Sequence, residues 1–243
     1  MKKCIIILLS VVLFSCKKDK EEPIPVVSVA QANVNLYTGT TFQIVATGGD
    51  SLTYQSDNEF VAKVSKTGLI NADRVGRANI TVSSATSSAT VYVKVDPKFN
   101  LYEEPLINWS LTKTEVIAQL GTPSEQDGGR IYYTSSNTAV YRYSYVFDNL
   151  NKLEASAVII KSFHYESLSN FVAERYLFIG QSDGLFVFVN HIDPEKVNLS
   201  VVLGIVNADY LMVMYMPFSP TQVKGSNDYF KMQSEVFLES NIQ

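Results

Sequence analysis

Short runs of alternating apolar and polar residues are the feature that most restricts how the first part of this chain can fold. Each run is separated from the next by a segment rich in Gly, Ser, Asp or Asn. Apolar residues at every second position place one face of a β-strand in a core, and the intervening residues favour tight turns. The pattern therefore predicts a sandwich of short antiparallel strands over residues 24–96. The alternating runs lie at residues 34–36, 42–46, 78–82 and 89–95.

Glycines and turns inside this region follow a further pattern. Residues 54–65 combine a Ser-x-Asn turn with a Val-Ala-x-Val strand, and two later strands begin at Gly68 and Gly76. Each Gly allows a tight corner, and each alternate apolar residue faces the core. This arrangement resembles the bacterial Ig-like group 2 (BIG2) domain. The resemblance implies an Ig-like fold that serves as a spacer or a binding module, and it brings no catalytic residue.

The amino terminus has the pattern of an export signal. Lys2 and Lys3 precede an apolar segment that ends in Leu13-Phe14-Ser15-Cys16. The apolar segment is shorter than the roughly twenty residues that a membrane-spanning helix requires. A Cys after Leu-x-Ser resembles the lipobox of bacterial lipoproteins. The resemblance implies that residues 1–16 are a lipoprotein signal peptide whose Cys16 is lipidated and becomes the first residue of the mature protein; an ordinary signal peptide with an incidental Cys is the alternative.

Residues 17–23 are predicted to be a solvated tether. They carry lysines and acidic residues and end at Pro23, a composition that favours an extended chain over a helix. A charged stretch directly after the lipidated Cys also resembles lipoproteins of the Bacteroidetes, in which an acidic cluster can direct export to the cell surface. Together these features predict an outer-membrane lipoprotein, attached to the membrane through its amino-terminal lipid and facing the periplasm or the cell surface.

The pattern changes after Pro97. Thr112 and Glu115 have the spacing of a capping box, and Gly121 stops the helix that the box begins. A second helix is predicted from about Glu166, marked by apolar residues at helical spacing. Three strands are predicted after each helix. The marker residues of the second helix are Leu168, Phe171, Val172, Tyr176 and Ile179, and the predicted strands lie at 130–134, 140–147, 153–161, 185–190, 197–206 and 210–216.

The repeated order predicts that residues 97–243 form an α+β domain of two helix-plus-three-strand units, with an antiparallel sheet and helices on one face. The segment 112–123 has a limited resemblance to small outer-membrane assembly lipoproteins and to β-lactamase-inhibitor-like units, which carries over no functional residue. The predicted fold class is therefore two domains, an all-β Ig-like sandwich followed by the α+β domain. The tail after Pro220 fits one further strand or one further helix.

Charge and composition exclude several kinds of function. The 243-residue chain has 20 Lys and Arg against 24 Asp and Glu, so it lacks the cation surplus typical of nucleic-acid binders. With two Cys and two His, it cannot build a Cys-based zinc site or a His-rich metal cluster. No P-loop, Rossmann glycine pattern or EF-hand loop is present, so no cofactor is predicted.

A stripe of tyrosines is the candidate binding feature. Alternation along residues 140–147 predicts that Tyr141, Tyr143 and Tyr145 share one face of a strand. Tyrosine faces can bind sugars or proteins, because the ring is apolar and the hydroxyl remains polar. The alternative is that the stripe packs as core beneath the helices, against an apolar face of the next strand. That face would consist of Leu153, Ala155, Ala157 and Ile159.

Three other groups of residues could suggest chemistry. Residues 180–184 fit the G-x-S-x-G pattern around Ser182, but a hydrolase elbow needs a strand before the Ser and a helix after it, whereas a helix-to-strand turn is predicted here. His191, Asp193 and Glu195 offer an imidazole and two carboxylates, but a polar loop explains them more simply. Glu103 and Glu104 are predicted to be solvated, since sequence neighbours rarely point into one cleft. His164 is predicted to be a helix-terminal or packing residue.

Taken together, the sequence predicts a non-catalytic binding or interaction module for a polysaccharide or an envelope protein, held off the membrane by an Ig-like spacer. One alternative is a small hydrolase that uses carboxylates or Ser182. In that case Asp183, His191 and Glu195 would converge in a pocket. The other alternative is a purely structural assembly subunit.

Overall fold

The computed structural model describes residues 25–49, 51–182 and 184–218. The predicted signal peptide, the lipidation site Cys16 and the tether at 17–23 lie outside the described residues, as do Asp183 and the tail after Pro220. The described chain is mostly β, with two short α-helices and two 3-10 turns. In this part of the chain, no helix has both the length and the apolar character needed to cross a bilayer.

The first nine strands form a sandwich of small sheets. Their bounds are β1 Ser28–Val29, β2 Asn33–Tyr37, β3 Thr41–Gln43, β4 Ala46–Thr47, β5 Thr53–Ser56, β6 Ala62–Val64, β7 Leu69–Ala72, β8 Gly76–Ser83 and β9 Ser88–Asp96. One sheet has the order β2-β9-β8-β5, a second has the order β3-β7-β6, and β1 pairs with β4. Strands β2 and β9 are parallel. The strands predicted at 34–36, 78–82 and 89–95 are confirmed, whereas the run predicted at 42–46 is divided between β3 and β4, which lie in different sheets. The prediction that all strands are antiparallel is wrong for β2 and β9.

The core of the sandwich is built by the alternating residues. Val34, Ile70, Ile80 and Val91 belong to one buried cluster that joins the two larger sheets. Gly68 stands in the turn between β6 and β7 with φ +82°, a conformation that suits Gly. A Cβ at this position would lie 2.8 Å from a ring carbon of Tyr54, so the close approach also requires Gly.

Eight further strands form one antiparallel sheet. The elements of this part are α1 Lys113–Leu120, β10 Glu125–Asp127, β11 Arg130–Thr134, β12 Val140–Phe147, β13 Leu153–Lys161, α2 Tyr165–Ala173, β14 Leu177–Ser182, β15 Leu185–Val189, β16 Leu199–Ile205 and β17 Tyr210–Pro217. The strand order is β10-β11-β12-β13-β17-β16-β15-β14. Each helix is therefore followed by a four-stranded meander, and the last strands of the two meanders pair at the centre of the sheet.

The prediction of three strands after each helix is wrong, because β10 and β14 were missed. Strand β10 has only three residues, all polar and exposed, so no apolar alternation marks it. Tyr176 and Ile179 continue the helical spacing of α2, yet α2 ends at Ala173. Leu177 instead packs against the sandwich core, and Phe178 pairs across to Phe188 of β15. These tertiary contacts outweigh the local helical period.

Both helices bury apolar residues against the sheet. Leu168, Phe171 and Val172 of α2 lie in a cluster with Val158 and Val213 of the two central strands. Val116 of α1 lies in a neighbouring cluster of sheet residues. Tyr143 and Trp109 pack against both clusters, which links the two helical layers.

Two irregularities in β12 change which residues share a face. A register shift between Val140 and Arg142 and another between Val146 and Phe147 interrupt the alternation. Val140 therefore joins the cluster that Tyr143 packs against, although it was predicted to face the other way. On β13, Val158 and Ser156 pair with Tyr143 and Tyr145. The predicted apolar partners Ala155, Ala157 and Ile159 lie instead in a separate buried cluster with Val146 and Met214, and Leu153 alone packs with Tyr145.

The sandwich and the eight-stranded sheet are joined by Glu174, directly after α2. Its carboxylate accepts hydrogen bonds from Thr38 Oγ1 at 3.0 Å and from the backbone N–H of Lys98 and Phe99 at 2.9 and 3.1 Å. Its own carbonyl accepts a bond from the backbone N–H of Val75 at 2.9 Å. A single buried residue thus contacts two loops of the sandwich and the segment that follows it.

Candidate functional site

A groove with a cavity volume of about 600 Å³ lies beside strands β11 and β12. One wall is the segment 103–106, and the other is the segment 133–137. Tyr143 and Tyr145 contribute from β12, and Leu120 contributes from the end of α1. Hydroxyl, amide and carboxylate groups line the same space as tyrosine rings, a combination suited to a ligand with both apolar and polar surfaces.

Two half-buried tyrosines stand side by side in the groove. Tyr133 and Tyr143 are directly opposite each other on neighbouring antiparallel strands, which places their Cβ atoms about 5 Å apart on one face. The hydroxyl of Tyr143 donates to the Glu103 carbonyl at 2.9 Å, and that of Tyr133 donates to the Gly121 carbonyl at 3.0 Å. These two hydrogen bonds restrain the orientation of both tyrosine rings.

Tyr145 lies deeper than its two neighbours. Its exposed fraction is 3%, and it meets the ring of Tyr133 edge to face with centroids 5.8 Å apart. Burial raises the pKa of Tyr145 to about 12, although a hydrogen bond with the Leu106 backbone acts in the opposite direction. Tyr145 therefore supports the floor of the groove as a core residue.

Tyr141 is separated from the other two stripe tyrosines. The register shift after Val140 displaces it, and it packs with Tyr210 at a centroid distance of 4.8 Å. Its exposed fraction is 36%. Of the three tyrosines in the predicted binding face, the structure thus brings Tyr143 and Tyr145 together at the groove and places Tyr141 elsewhere.

Glu103 and Glu104 are both exposed, as the sequence predicted, and Glu104 also takes part in a hydrogen-bond network. Its carboxylate accepts a hydrogen bond from the Tyr176 hydroxyl and lies 3.7 Å from Nε of Arg175. Behind it, the hydroxyls of Tyr102 and Tyr215 are 2.7 Å apart in the core. Burial raises the pKa of Tyr102, Tyr176 and Tyr215 well above the ordinary range. This network fixes one end of the groove, where Glu103 and Glu104 both contribute to the lining.

The candidate acid–base residues form a polar loop. His191 Nδ1 accepts a bond from the Asp193 backbone N–H at 2.8 Å, and Asp193 Oδ1 accepts one from the Glu195 backbone N–H at 3.1 Å. Asp193 thereby caps the 3-10 turn Pro194–Lys196. The His191 ring stacks on Phe60 of the sandwich, with centroids 6.0 Å apart. The imidazole of His191 and the carboxylate of Asp193 therefore stabilise the loop itself.

The described residues of the G-x-S-x-G segment lie where the paired strands β14 and β15 meet. Gly180 and Ser182 belong to β14, and Gly184 precedes β15, so strand follows strand across the turn. The predicted helix-to-strand turn is therefore wrong, because α2 ends earlier. A hydrolase elbow requires a helix after the Ser, and β15 occupies that place.

His164 ends a 3-10 turn and directly precedes α2, in agreement with its predicted place at a helix terminus. Its ring packs against Phe163 with centroids 4.2 Å apart. Within residues 25–49, 51–182 and 184–218, no group of three His, Cys, Asp or Glu side chains is arranged to hold a metal ion.

Sequence reasoning missed Tyr133 and the hydrogen-bonded role of Glu104. The strand that carries Tyr133 was predicted. Alternation alone does not show whether Tyr133 lies opposite Tyr143, because their pairing depends on the register between the two strands. The partners of Glu104 are distant in sequence, and no local pattern could indicate them: Tyr176 is 72 residues away.

No curated protein matches the sequence of this chain significantly. Several solved structures share limited similarity. Domains 4–9 of the surface layer protein SbsC are 15% identical over 79% of this chain and 27% of their own length, with a TM-score of 0.26. An intimin mutant of EHEC O157:H7 is 12% identical over 77% of this chain and 94% of its own, with a TM-score of 0.25. Extracellular domains 3–5 of Drosophila OTK are 13% identical over 80% of this chain and 61% of their own length, with a TM-score of 0.24.

The sandwich has a family assignment of its own. Residues 23–95 match the model of the bacterial Ig-like domain (group 2). The match spans strands β1 to β8 and nearly all of β9, and it ends before the eight-stranded sheet begins. The resemblance inferred from the turn and glycine pattern is thus confirmed for this part of the chain.

Proposed function

We propose that this protein is a lipid-anchored, non-catalytic protein of the cell envelope that binds a polysaccharide in the groove beside β11 and β12. The observation that carries the proposal is the pair of half-buried tyrosines, Tyr133 and Tyr143, fixed side by side in a groove lined with hydroxyl, amide and carboxylate groups. Sugars present apolar ring faces and polar edges, so aromatic rings next to hydrogen-bonding groups complement both.

In this proposal the chain has two domains, residues 24–96 as a spacer and residues 97–243 as the binding domain, with both helices on one face of the sheet. The family match supports an Ig-like spacer. The two helix-containing clusters share Tyr143 and Trp109, which supports a common helical face. The hydrogen bonds of Glu174 support a fixed orientation of the groove relative to the spacer.

The absence of catalysis is part of the proposal. His191 and Asp193 are engaged in forming their own loop, and Ser182 lies in a strand that is followed by another strand. Neither arrangement supplies an activated nucleophile or a convergent acid–base pair. The hydrolase alternative therefore receives no support from the described residues.

Lipid anchoring at Cys16 rests on the lipobox pattern alone and has its own test. Wild-type protein expressed with a labelled fatty acid should incorporate the label and remain with the outer membrane on fractionation. Cys16→Ser should lose both properties. Unlabelled wild-type protein in the soluble fraction would contradict the anchor and leave the groove unaffected.

Polysaccharide binding is tested by substituting one of the two partly exposed groove tyrosines. Tyr143→Ala should weaken retention of the full chain on envelope polysaccharide at least tenfold, because the ring and the bond to Glu103 are both lost. Tyr92→Ala is the matched control, since Tyr92 is an exposed tyrosine on the sandwich. Equal retention of wild type and Tyr143→Ala would overturn the proposal.

An envelope protein is the second candidate partner, and one observation favours it. Phe178 and Ile179 are exposed on β14, the edge strand of the sheet. Exposed apolar residues on an edge strand often mark protein contacts. If Phe178→Asp abolishes cross-linking to an envelope protein while polysaccharide retention is unchanged, this partner is supported; unchanged cross-linking argues against this surface.

A further inference from the structure

We propose that the groove takes an uncharged stretch of polysaccharide and discriminates against chains that carry carboxylate or sulfate groups. This inference rests on the proposed polysaccharide binding and adds the chemical class of the ligand. The inference follows from the negative charges in the groove lining and from the hydrogen bond that fixes the Glu104 carboxylate.

The groove lining is acidic. Glu103 and Glu104 stand in one wall, and none of the residues that line the groove is Lys, Arg or His. An anionic sugar bound there would bring like charges together without a cation in the lining. Like charges a few ångströms apart repel.

The guanidinium that is paired with Glu104 does not neutralise this wall. Arg175 lies 3.7 Å from Glu104, but its Nη1 is also 2.6 Å from Glu174 Oε1. One guanidinium therefore faces two carboxylates, and Glu103 adds a third acidic group nearby. Arg175 also stacks on Phe171 with its Cζ 3.7 Å from the ring centroid, so its side chain is held away from solvent.

Neutral sugar hydroxyls suit the same groups. A carboxylate accepts hydrogen bonds from hydroxyl donors, and the hydroxyls of Ser135 and Ser136 can either donate or accept. The Tyr176 bond fixes the Glu104 carboxylate before any ligand arrives, which reduces the entropy lost on binding. The partly exposed rings of Tyr133 and Tyr143 line the same groove and supply apolar surface for a sugar ring.

The test measures binding of the full chain to four probes by titration calorimetry. These are two neutral oligosaccharides, a glucan and a mannan hexaose, an oligogalacturonate of equal length, and an acetylated tetralysine peptide. We expect a neutral oligosaccharide to bind at least tenfold more tightly than the oligogalacturonate at low salt. We also expect this ratio to shrink as salt screens the repulsion.

The substitution Glu103→Gln isolates the charge without removing the side chain. It should tighten oligogalacturonate binding at least threefold relative to neutral-sugar binding, because the amide removes the negative charge and keeps a hydrogen-bond acceptor. Glu154→Gln, an exposed acidic residue on β13, should change neither value.

The outcomes separate the two proposals. Oligogalacturonate binding equal to or tighter than neutral binding, unaffected by Glu103→Gln, overturns the inference while polysaccharide binding stands. Tetralysine binding without sugar binding overturns both, because the acidic groove would then serve a basic peptide. Failure of every sugar probe to bind, with Tyr143→Ala indistinguishable from wild type on envelope polysaccharide, also overturns both.

Discussion

At the scale of single residues, buried polar groups do more to define this molecule than exposed ones. The Glu174 carboxylate is held by a hydroxyl and two backbone N–H groups that belong to other parts of the chain. Glu104 is exposed, but the buried residue Tyr176 donates a hydrogen bond to its carboxylate beside the groove. A buried carboxylate is tolerated only when such donors surround it, and the donors in turn depend on it.

Replacing Glu174 should be costly. Glu174→Ala leaves the N–H groups of Lys98 and Phe99 and the Thr38 hydroxyl without their acceptor, and we expect a loss of about 2–4 kcal/mol in the free energy of unfolding. Urea denaturation measures the change. The exposed Glu154→Ala is the control and should shift the midpoint only slightly; equal effects of the two substitutions would contradict the role given to Glu174.

The buried tyrosines predict a loss of stability in alkali. The pKa of Tyr145 is raised to about 12 in the folded protein, against about 10 in an unfolded chain, so the folded state retains a proton that the unfolded state releases. Tyr102, Tyr176 and Tyr215 are raised in the same direction. The unfolded state then binds fewer protons above about pH 10, and the free energy of unfolding must fall as pH rises through this range.

Denaturation midpoints measured between about pH 9 and 12 check this expectation. The ultraviolet absorbance of tyrosinate should show part of the tyrosines titrating only as the protein unfolds. A flat stability profile, with every tyrosine titrating in the folded protein, would contradict the burial of the four hydroxyls.

At the scale of elements, alternation predicted the bounds of a strand well where no long-range contact interrupted the local pattern. Strands β11, β12 and β13 have the predicted bounds, since alternation and the Asp148–Lys152 loop mark them. The pattern failed where a tertiary contact decided the outcome, as at β14, where Leu177 packs on the sandwich. The bulges in β12 were also missed, because the position of a bulge depends on the pairing with the partner strand.

The candidate site shows the same limit. Tyr143 was predicted as a binding residue from its own strand, and the structure places it at the groove. Its neighbour Tyr133 and the carboxylate of Glu104 entered the site through pairings across the sheet and through the tyrosine network. A single sequence carries no direct signal for such long-range pairings.

The first helix depends on its capping box. Thr112 Oγ1 accepts a bond from the Glu115 N–H at 3.3 Å, and Glu115 Oε2 accepts one from the Thr112 N–H at 2.7 Å. Thr112→Ala removes the first of these and should lower the free energy of unfolding by about 1 kcal/mol. Thermal denaturation measures the shift. Thr114→Ala, in the same helix turn and exposed, should be close to neutral; if it costs as much as Thr112→Ala, capping is not the cause.

At the scale of the whole molecule, the sandwich and the sheet are joined through several side chains rather than through the connecting segment alone. His191 stacks on Phe60, Leu177 packs on the sandwich core, and Glu174 bonds to Thr38. An Ig-like unit attached in this way positions the groove at a fixed angle, whereas one attached by a free linker would leave the angle variable.

Limited proteolysis tests this junction. Trypsin should cleave slowly after Lys98 in the wild type, because the N–H groups of Lys98 and Phe99 are bonded to Glu174. In Glu174→Ala the rate should rise at least fivefold. Cleavage after Lys66, in an exposed turn of the sandwich, should be equal in both proteins and serves as the internal control. Equal rates after Lys98 would show that Glu174 does not restrain this segment.

The central pairing of β13 with β17 has a consequence for how the chain reaches its native state. Strand β13 ends at Lys161, and its partner begins at Tyr210, so the middle of the sheet closes across an intervening helix and three strands. Until that late partner arrives, β13 has a bare edge, which is a template for pairing with a neighbouring chain. During synthesis, the first meander is complete before β17 emerges, so the seam between β13 and β17 closes after the first meander can assemble.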